Sequence, residues 1–186
     1  MSDDRLLLFP GDGFCTRNPM LLGRIINWVQ RFQSKDNQSE YGHAGIIIGC
    51  ADPSRDVWRD GIPIDQAVSF EALWTNRRQN FHEAYKGRKV LVGRHELMTE
   101  ERFLKGWEGI RHHEGTWYAG HRMIFFLVPP FGKYLSAGLA VCSEMFMKFF
   151  FKAGIYGFWK NWNPDDVADM IHRWRDWEIV HEKTME

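Results

Sequence analysis

The chain has 186 residues, 44% of them hydrophobic and 26% charged, which suits one globular domain over 1–186 with a real core. Its 24 basic and 24 acidic residues cancel, so the basic footprint that nucleic-acid binding needs is missing and no nucleic-acid partner is expected. Cys15, Cys50 and Cys142 are widely spaced and odd in number, which excludes a disulfide framework or a structural zinc site and suggests a reducing compartment.

The opening MSDDRLLLFPGDG is acidic, with an apolar run of only four residues, and does not resemble a signal peptide. The longest apolar region, 123–141, is broken by Pro129, Pro130, Gly132 and Lys133, so no transmembrane helix is expected there. A cytoplasmic location follows as the expectation. The 14 Phe and 9 Trp belong mainly to a core, with any surplus free to line an apolar cleft or touch a membrane surface.

In chain order, LLLF at 6–9 reads as a short strand closed by the turn PGDG. Asn18-Pro19 starts a helix whose Leu21, Leu22, Ile25, Ile26, Val29 and Phe32 form one apolar face. GHAGIIIGC at 42–50 is β-rich and reads as a buried strand. In AVSFEALW, Val68, Phe70, Ala72 and Trp74 share one face while Ser69 and Glu71 share the other. RKVLVGR at 88–94 is a third strand. Thr99 caps a helix with Glu100 and Glu101 in its first turn and a stripe of Phe103, Leu104, Trp107 and Ile110. A helix begins at Cys142, with Met145, Phe146, Phe149, Phe150 and Ala153 on one face and Gly154 just past its end. Asn163 caps a last helix with Pro164 at its first position. Strand, helix, several strands and two helices make an α+β pattern rather than an alternating βα rhythm.

Most familiar chemistries fail on spacing. His82-Glu83, His95-Glu96 and His181-Glu182 lack the second histidine of a zinc-protease helix. GDGFCT lacks the third glycine of a nucleotide loop, and no GxSxG is present. His112 and His113 would point about 100° apart on a helix and would not converge on a metal.

Cysteine chemistry remains. A nucleophilic thiol needs a histidine and benefits from a helix N-terminus, where free N–H groups favour negative charge. Cys142 opens a helix, Cys50 trails a strand, and Cys15 follows a glycine turn. Taken alone, Cys142 also reads as a small buried hydrophobe. Most of the eight histidines lie in charged stretches. His43 instead opens a core strand between Gly42 and Gly45, either as a base with room beside it or as a core histidine bonded to a carbonyl. Glu71, on the polar face of the 67–74 strand, can share a sheet face with His43 and orient its ring, or can simply face solvent.

FPGDGF, an amphipathic helix, YGHAGIIIG, SFEAL, KVLVGR, a Thr-capped helix, GTWY and VCSEMFMKF come in an order that resembles the circularly permuted papain-fold cysteine hydrolases. These belong to the NlpC-like superfamily and include the YiiX-type amidases and, more distantly, lecithin:retinol acyltransferase. The resemblance spans about residues 6–170. It implies a papain-like antiparallel sheet packed against helices, with Cys142 as nucleophile, His43 as base and Glu71 orienting His43. Two positions depart from the pattern: Gly42 replaces the serine common before the histidine, and Tyr118-Ala119 replaces Tyr-Asp. The implied reaction is hydrolysis of an amide, such as a peptide or cell-wall fragment, or of an acyl ester, without a cofactor. The alternatives are acyl transfer on a lipid substrate and a catalytically inert peptide- or lipid-binding module, with peripheral membrane contact as a further expectation.

Overall fold

A computed structural model describes residues 6–17, 40–72, 75–116, 141–158, 162 and 164–186. The amphipathic helix expected from Asn18, together with Trp74, Tyr118-Ala119 and the Asn163 cap, lies outside these residues.

The framework is a sheet of strands that pair with their neighbours in antiparallel fashion. β1 (Leu7–Leu8) pairs with β4 (Ile62–Pro63) as a small separate ribbon. The main sheet comprises β2 (Gly13–Thr16), β3 (His43–Cys50), β5 (Ala67–Ala72), β6 (Asn76–Asn80), β7 (Lys89–His95) and β8 (Trp177–Thr184). Its spatial order is β6-β5-β3-β2-β7-β8. β3 therefore lies inside the sheet, covered on both faces, which is why AGIII is apolar without alternation. β5 is its neighbour and alternates as expected: Phe70 and Ala72 join the core on one face, while Ser69 and Glu71 point to the other.

Helices α1 (Val57–Asp60) and α2 (Phe81–Tyr85) are short, and α2 closes over the face that carries Glu71. The other face receives α3 (Glu100–Ile110), α4 (Val141–Lys152) and α5 (Pro164–Arg173). Thr99 caps α3 by accepting from the Arg102 N–H at 3.3 Å, as its sequence requires. Met145, Phe146, Phe149, Phe150 and Ala153 of the α4 segment are all buried, and so is Met147. The apolar surface of α4 is thus wider than a single stripe, because the helix sits between the sheet and α3.

Among the described residues, about half of the Phe and Trp side chains lie in the core. Phe14, Phe70, Phe81, Phe146, Phe149 and Phe150 are fully buried, whereas Phe158 and Trp174 stay exposed. The strands of the main sheet not read from the sequence are β2, which holds the last four residues of GDGFCT, the polar β6 and the closing strand β8. The short α1, α2 and β4 were not read either. β8 lies at the edge of the sheet, and its burial does not alternate. Among the described residues no helix is long and apolar enough to cross a membrane. The architecture is α+β, a six-stranded antiparallel sheet packed against helices, and is compatible with a papain-like fold.

Candidate active site

Cys142 is the second residue of α4. Its helix is anchored at this end by Ser143, whose hydroxyl is buried and donates to the Trp162 carbonyl at 2.5 Å. The first N–H groups of a helix have no partner within it, so this end presents donors and positive potential to the thiol. The His43 ring and the backbone N–H groups of Ser143 and Ala44 are placed to hydrogen-bond a thiolate at Cys142. Burial pushes the Cys142 pKa up, but the imidazolium charge and these hydrogen bonds outweigh it, and the net direction is downward.

His43 is the first residue of β3, at the end of that strand. From there the ring reaches both Glu71 on one face and Cys142, which arrives with α4 from the other. Its Nε2 lies 2.8 Å from Glu71 Oε2. A carboxylate only accepts, so Nε2 carries the proton and Nδ1 is left for the sulfur. Burial alone would lower the His43 pKa. The neighbouring Cys142 thiolate, the hydrogen bond to it and the Glu71 carboxylate reverse that and raise it to about 10. The two shifts describe one coupled state, a thiolate–imidazolium pair, and the direction is the same from either partner.

Glu71 lies opposite Gly45 in the β3–β5 register. A Cβ at Gly45 would sit 2.5 Å from Phe14 Cζ and 2.9 Å from Glu71 Cγ. Glycine here lets the carboxylate cross its neighbouring strand toward His43. The carboxylate is fully buried and accepts four hydrogen bonds. Ser69 Oγ at 2.6 Å and Gln79 Nε2 at 2.7 Å reach Oε1, and His43 Nε2 and the Tyr85 hydroxyl reach Oε2. Burial raises the Glu71 pKa, and the His43 bond and charge followed by Ser69 and Tyr85 more than compensate, leaving it lowered.

The structure therefore brings Cys142, His43 and Glu71 into one connected chain. Ser69 was legible as a companion of Glu71 from strand alternation. Gln79 and Tyr85 were not, because a polar strand and a five-residue helix carry no periodic signal.

The rival thiols are placed differently. Cys15 is buried opposite Ala44, donates to the Pro164 carbonyl at 3.7 Å, and has its pKa pushed well up by burial and by the nearby Cys142. Cys50 is half-buried beside Gln66. Not every histidine in a charged stretch is exposed: His95 is as buried as His43 and lies 2.9 Å from Asp176. His112 and His113 occupy a 3-10 turn rather than an α-helix, so their rings come to 4.0 Å and His113 Nε2 meets Lys148 Nζ at 2.7 Å. Among the described residues no group of three or more His, Cys, Asp or Glu side chains could hold a metal ion.

A buried thiol at a helix start thus lies beside a strand histidine that a second strand's carboxylate holds, the groups that an activated thiol requires. Among solved structures, the chain is similar to the metalloprotein YiiX of Escherichia coli O157:H7 (DUF1105). The TM-score is 0.56 at 14% identity, covering 95% of this chain and 98% of that one. At that identity the likeness establishes the fold, a YiiX-like one. No family model and no curated protein matches the chain.

Proposed function

We propose that the protein is a cysteine hydrolase of the permuted papain-like, NlpC-like kind, acting on an amide or acyl ester through Cys142, His43 and Glu71. The observation that carries this reading is the thiol at the open end of α4 beside a histidine whose other nitrogen is held by a buried carboxylate.

The Cys142 thiolate attacks the substrate carbonyl carbon, and the carbonyl π electrons move onto oxygen. N–H groups at the start of α4 face the developing oxyanion, where a preorganised donor contributes most. As the tetrahedral adduct collapses, the bond to the leaving group breaks and the His43 imidazolium gives that group its proton. The product is a Cys142 thioester and a neutral His43. His43 then takes a proton from water, the hydroxide adds to the thioester carbonyl, and the thiolate leaves as the acid is released. With an alcohol or amine in place of water, the same steps transfer the acyl group. Glu71 stays ionised throughout and keeps the ring's Nδ1 aimed at sulfur.

YiiX is a metalloprotein. In this chain the donors at the site are committed to one another: Glu71 accepts four hydrogen bonds and His43 uses both ring nitrogens. Among the described residues only the Cys142 sulfur and one His43 nitrogen could turn to a metal, fewer than the three protein ligands of catalytic zinc sites. The described residues at this site do not fit a metal centre.

The sulfur beside His43 supports turnover over the inert binding module, which has no use for a thiolate. The test is intact-protein mass spectrometry after exposure to activated acyl esters. One acyl adduct is expected, abolished in Cys142→Ala and slowed in His43→Ala. Adducts on Cys15 or Cys50, or none, would overturn the reading.

A further inference from the structure

We propose that Tyr85 is a positioning residue for the acyl-transfer site, its hydroxyl holding the Glu71 carboxylate ionised and aimed at His43. This rests on the function proposed above and adds a residue from outside the sheet that carries His43 and Glu71.

The two oxygens of Glu71 are held by different parts of the fold. Oε1 is gripped by Ser69 of β5 and Gln79 of β6, both within the sheet. Oε2 is the oxygen that His43 uses, and among the described residues Tyr85 is its only other donor. Two donors on each oxygen fill the carboxylate's acceptor sites, so it can neither rotate nor slide along the strand without losing one. Tyr85 belongs to α2, and that short helix therefore sets the aim of the carboxylate.

The hydroxyl is itself fixed. The Tyr85 ring is buried, edge-on to Phe14 at 5.2 Å and packed on Phe81 at 5.5 Å. It lies within 28° of parallel to the His43 ring at 6.5 Å, forming a wall beside it. Burial, and then the Glu71 charge, push the Tyr85 pKa well up, so the phenol remains a donor across the working range. The charged and titratable groups facing this contact are His43 from β3, Cys142 from α4 and Arg88 over the Tyr85 ring. Arg77 lies opposite Glu71 in register with its side chain exposed.

A buried anion that loses one of four donors becomes easier to protonate. Protonated Glu71 no longer steadies the imidazolium, and the thiolate is lost with it. Tyr85→Phe removes the hydroxyl and keeps the ring, so the packing on Phe14 and Phe81 survives.

The experiment titrates the Glu71 carboxyl carbon by ¹³C NMR in the wild type and in Tyr85→Phe, alongside the acid limb of Cys142 alkylation. Tyr85→Phe is expected to raise the Glu71 midpoint by about one pH unit, the scale of one hydrogen bond weighting two protonation states. The acid limb of alkylation should move up with it, and Tyr85→Phe should add nothing further in a Glu71→Gln background. An unchanged Glu71 midpoint, or an equal loss in the Glu71→Gln background, would overturn the proposal by reducing Tyr85 to packing. If wild-type Cys142 alkylates as an ordinary thiol, the hydrolase reading fails, while the carboxyl titration still judges Tyr85.

Discussion

Two buried histidines in the same sheet, each beside a carboxylate, behave in opposite ways. His43 lies 2.8 Å from Glu71 and His95 lies 2.9 Å from Asp176. Yet the His43 pKa is raised to about 10, whereas burial leaves that of His95 below its ordinary value. His95 is boxed by Phe150, Tyr156 and Trp177, and its Nδ1 accepts from the Leu97 N–H at 3.1 Å. Its lone pair is spent on a backbone bond, and its carboxylate partner is partly solvated. His43 has a fully buried carboxylate on one nitrogen and a thiolate on the other. A carboxylate neighbour is therefore not what makes a histidine chemically useful here. The second anion, supplied by α4, decides it.

That contrast can be broken most directly by removing each ring. His43→Ala is expected to slow alkylation of Cys142 at neutral pH by about 10²–10⁴-fold, the usual worth of a positioned acid–base group. His95→Gln should lower the melting temperature and leave the alkylation pH profile in place. Equal kinetic losses from the two variants would end the distinction.

Removing the second anion is the next largest effect. In Cys142→Ala, His43 keeps Glu71 but loses the thiolate, so its titration by ¹H–¹⁵N NMR should move down from about 10. The His95 resonance should not move. A His43 midpoint unchanged in Cys142→Ala would show that the carboxylate alone was responsible.

A pair of glycines sharpens the comparison by packing. Gly45→Ala would place a methyl 2.9 Å from Glu71 Cγ, and Gly93→Ala one 2.6 Å from Ile171 Cγ2 and 2.9 Å from Trp177 Cε3. Both should destabilise by about 1–3 kcal/mol as overpacked sites. Only Gly45→Ala should also shift the Cys142 alkylation profile, since only it displaces the carboxylate. Denaturant melts beside the alkylation profile separate the two outcomes.

The smallest effect is on stability against pH. The folded His43 pKa is raised above its unfolded value of about 6.5, so its contribution is fully present below that value and is lost as pH rises toward about 10. The Glu71 pKa is lowered, so its contribution is present above the ordinary carboxylate range and is lost as pH falls through the depressed folded value. The lowered Cys142 pKa offsets the His43 loss until the free-thiol range is passed. Melting temperature should therefore fall on the acid side and then again as pH approaches about 10, and Cys142→Ala should move the alkaline loss to lower pH. A flat alkaline limb in the wild type would contradict the ion pair.

Much of the frame was readable from local pattern. The alternation of Phe70 and Ala72 against Ser69 and Glu71, the Thr99 cap, the Pro164 helix start and the apolar face of α4 all appear as expected. β2, β6 and β8 were missed because short or edge strands need not alternate. The burial of His95 was missed because Glu96 beside it suggested a charged surface. In the site, Cys142, His43 and Glu71 were each ambiguous alone, and only their order pointed to one constellation.

By itself the sequence determined which residues could serve. It supplied a cysteine at a helix start, a histidine opening a core strand and a glutamate on the polar face of its neighbour, because helix caps and strand alternation are local properties. Only the tertiary structure decided that they meet. His43 and Glu71 lie 28 residues apart and Cys142 lies far beyond both, so their contact depends on sheet register, on Gly45 leaving space, and on where α4 docks. It also drives the two buried histidines in opposite directions, His43 up and His95 down, since a buried ring's pKa follows the groups that the fold brings against it.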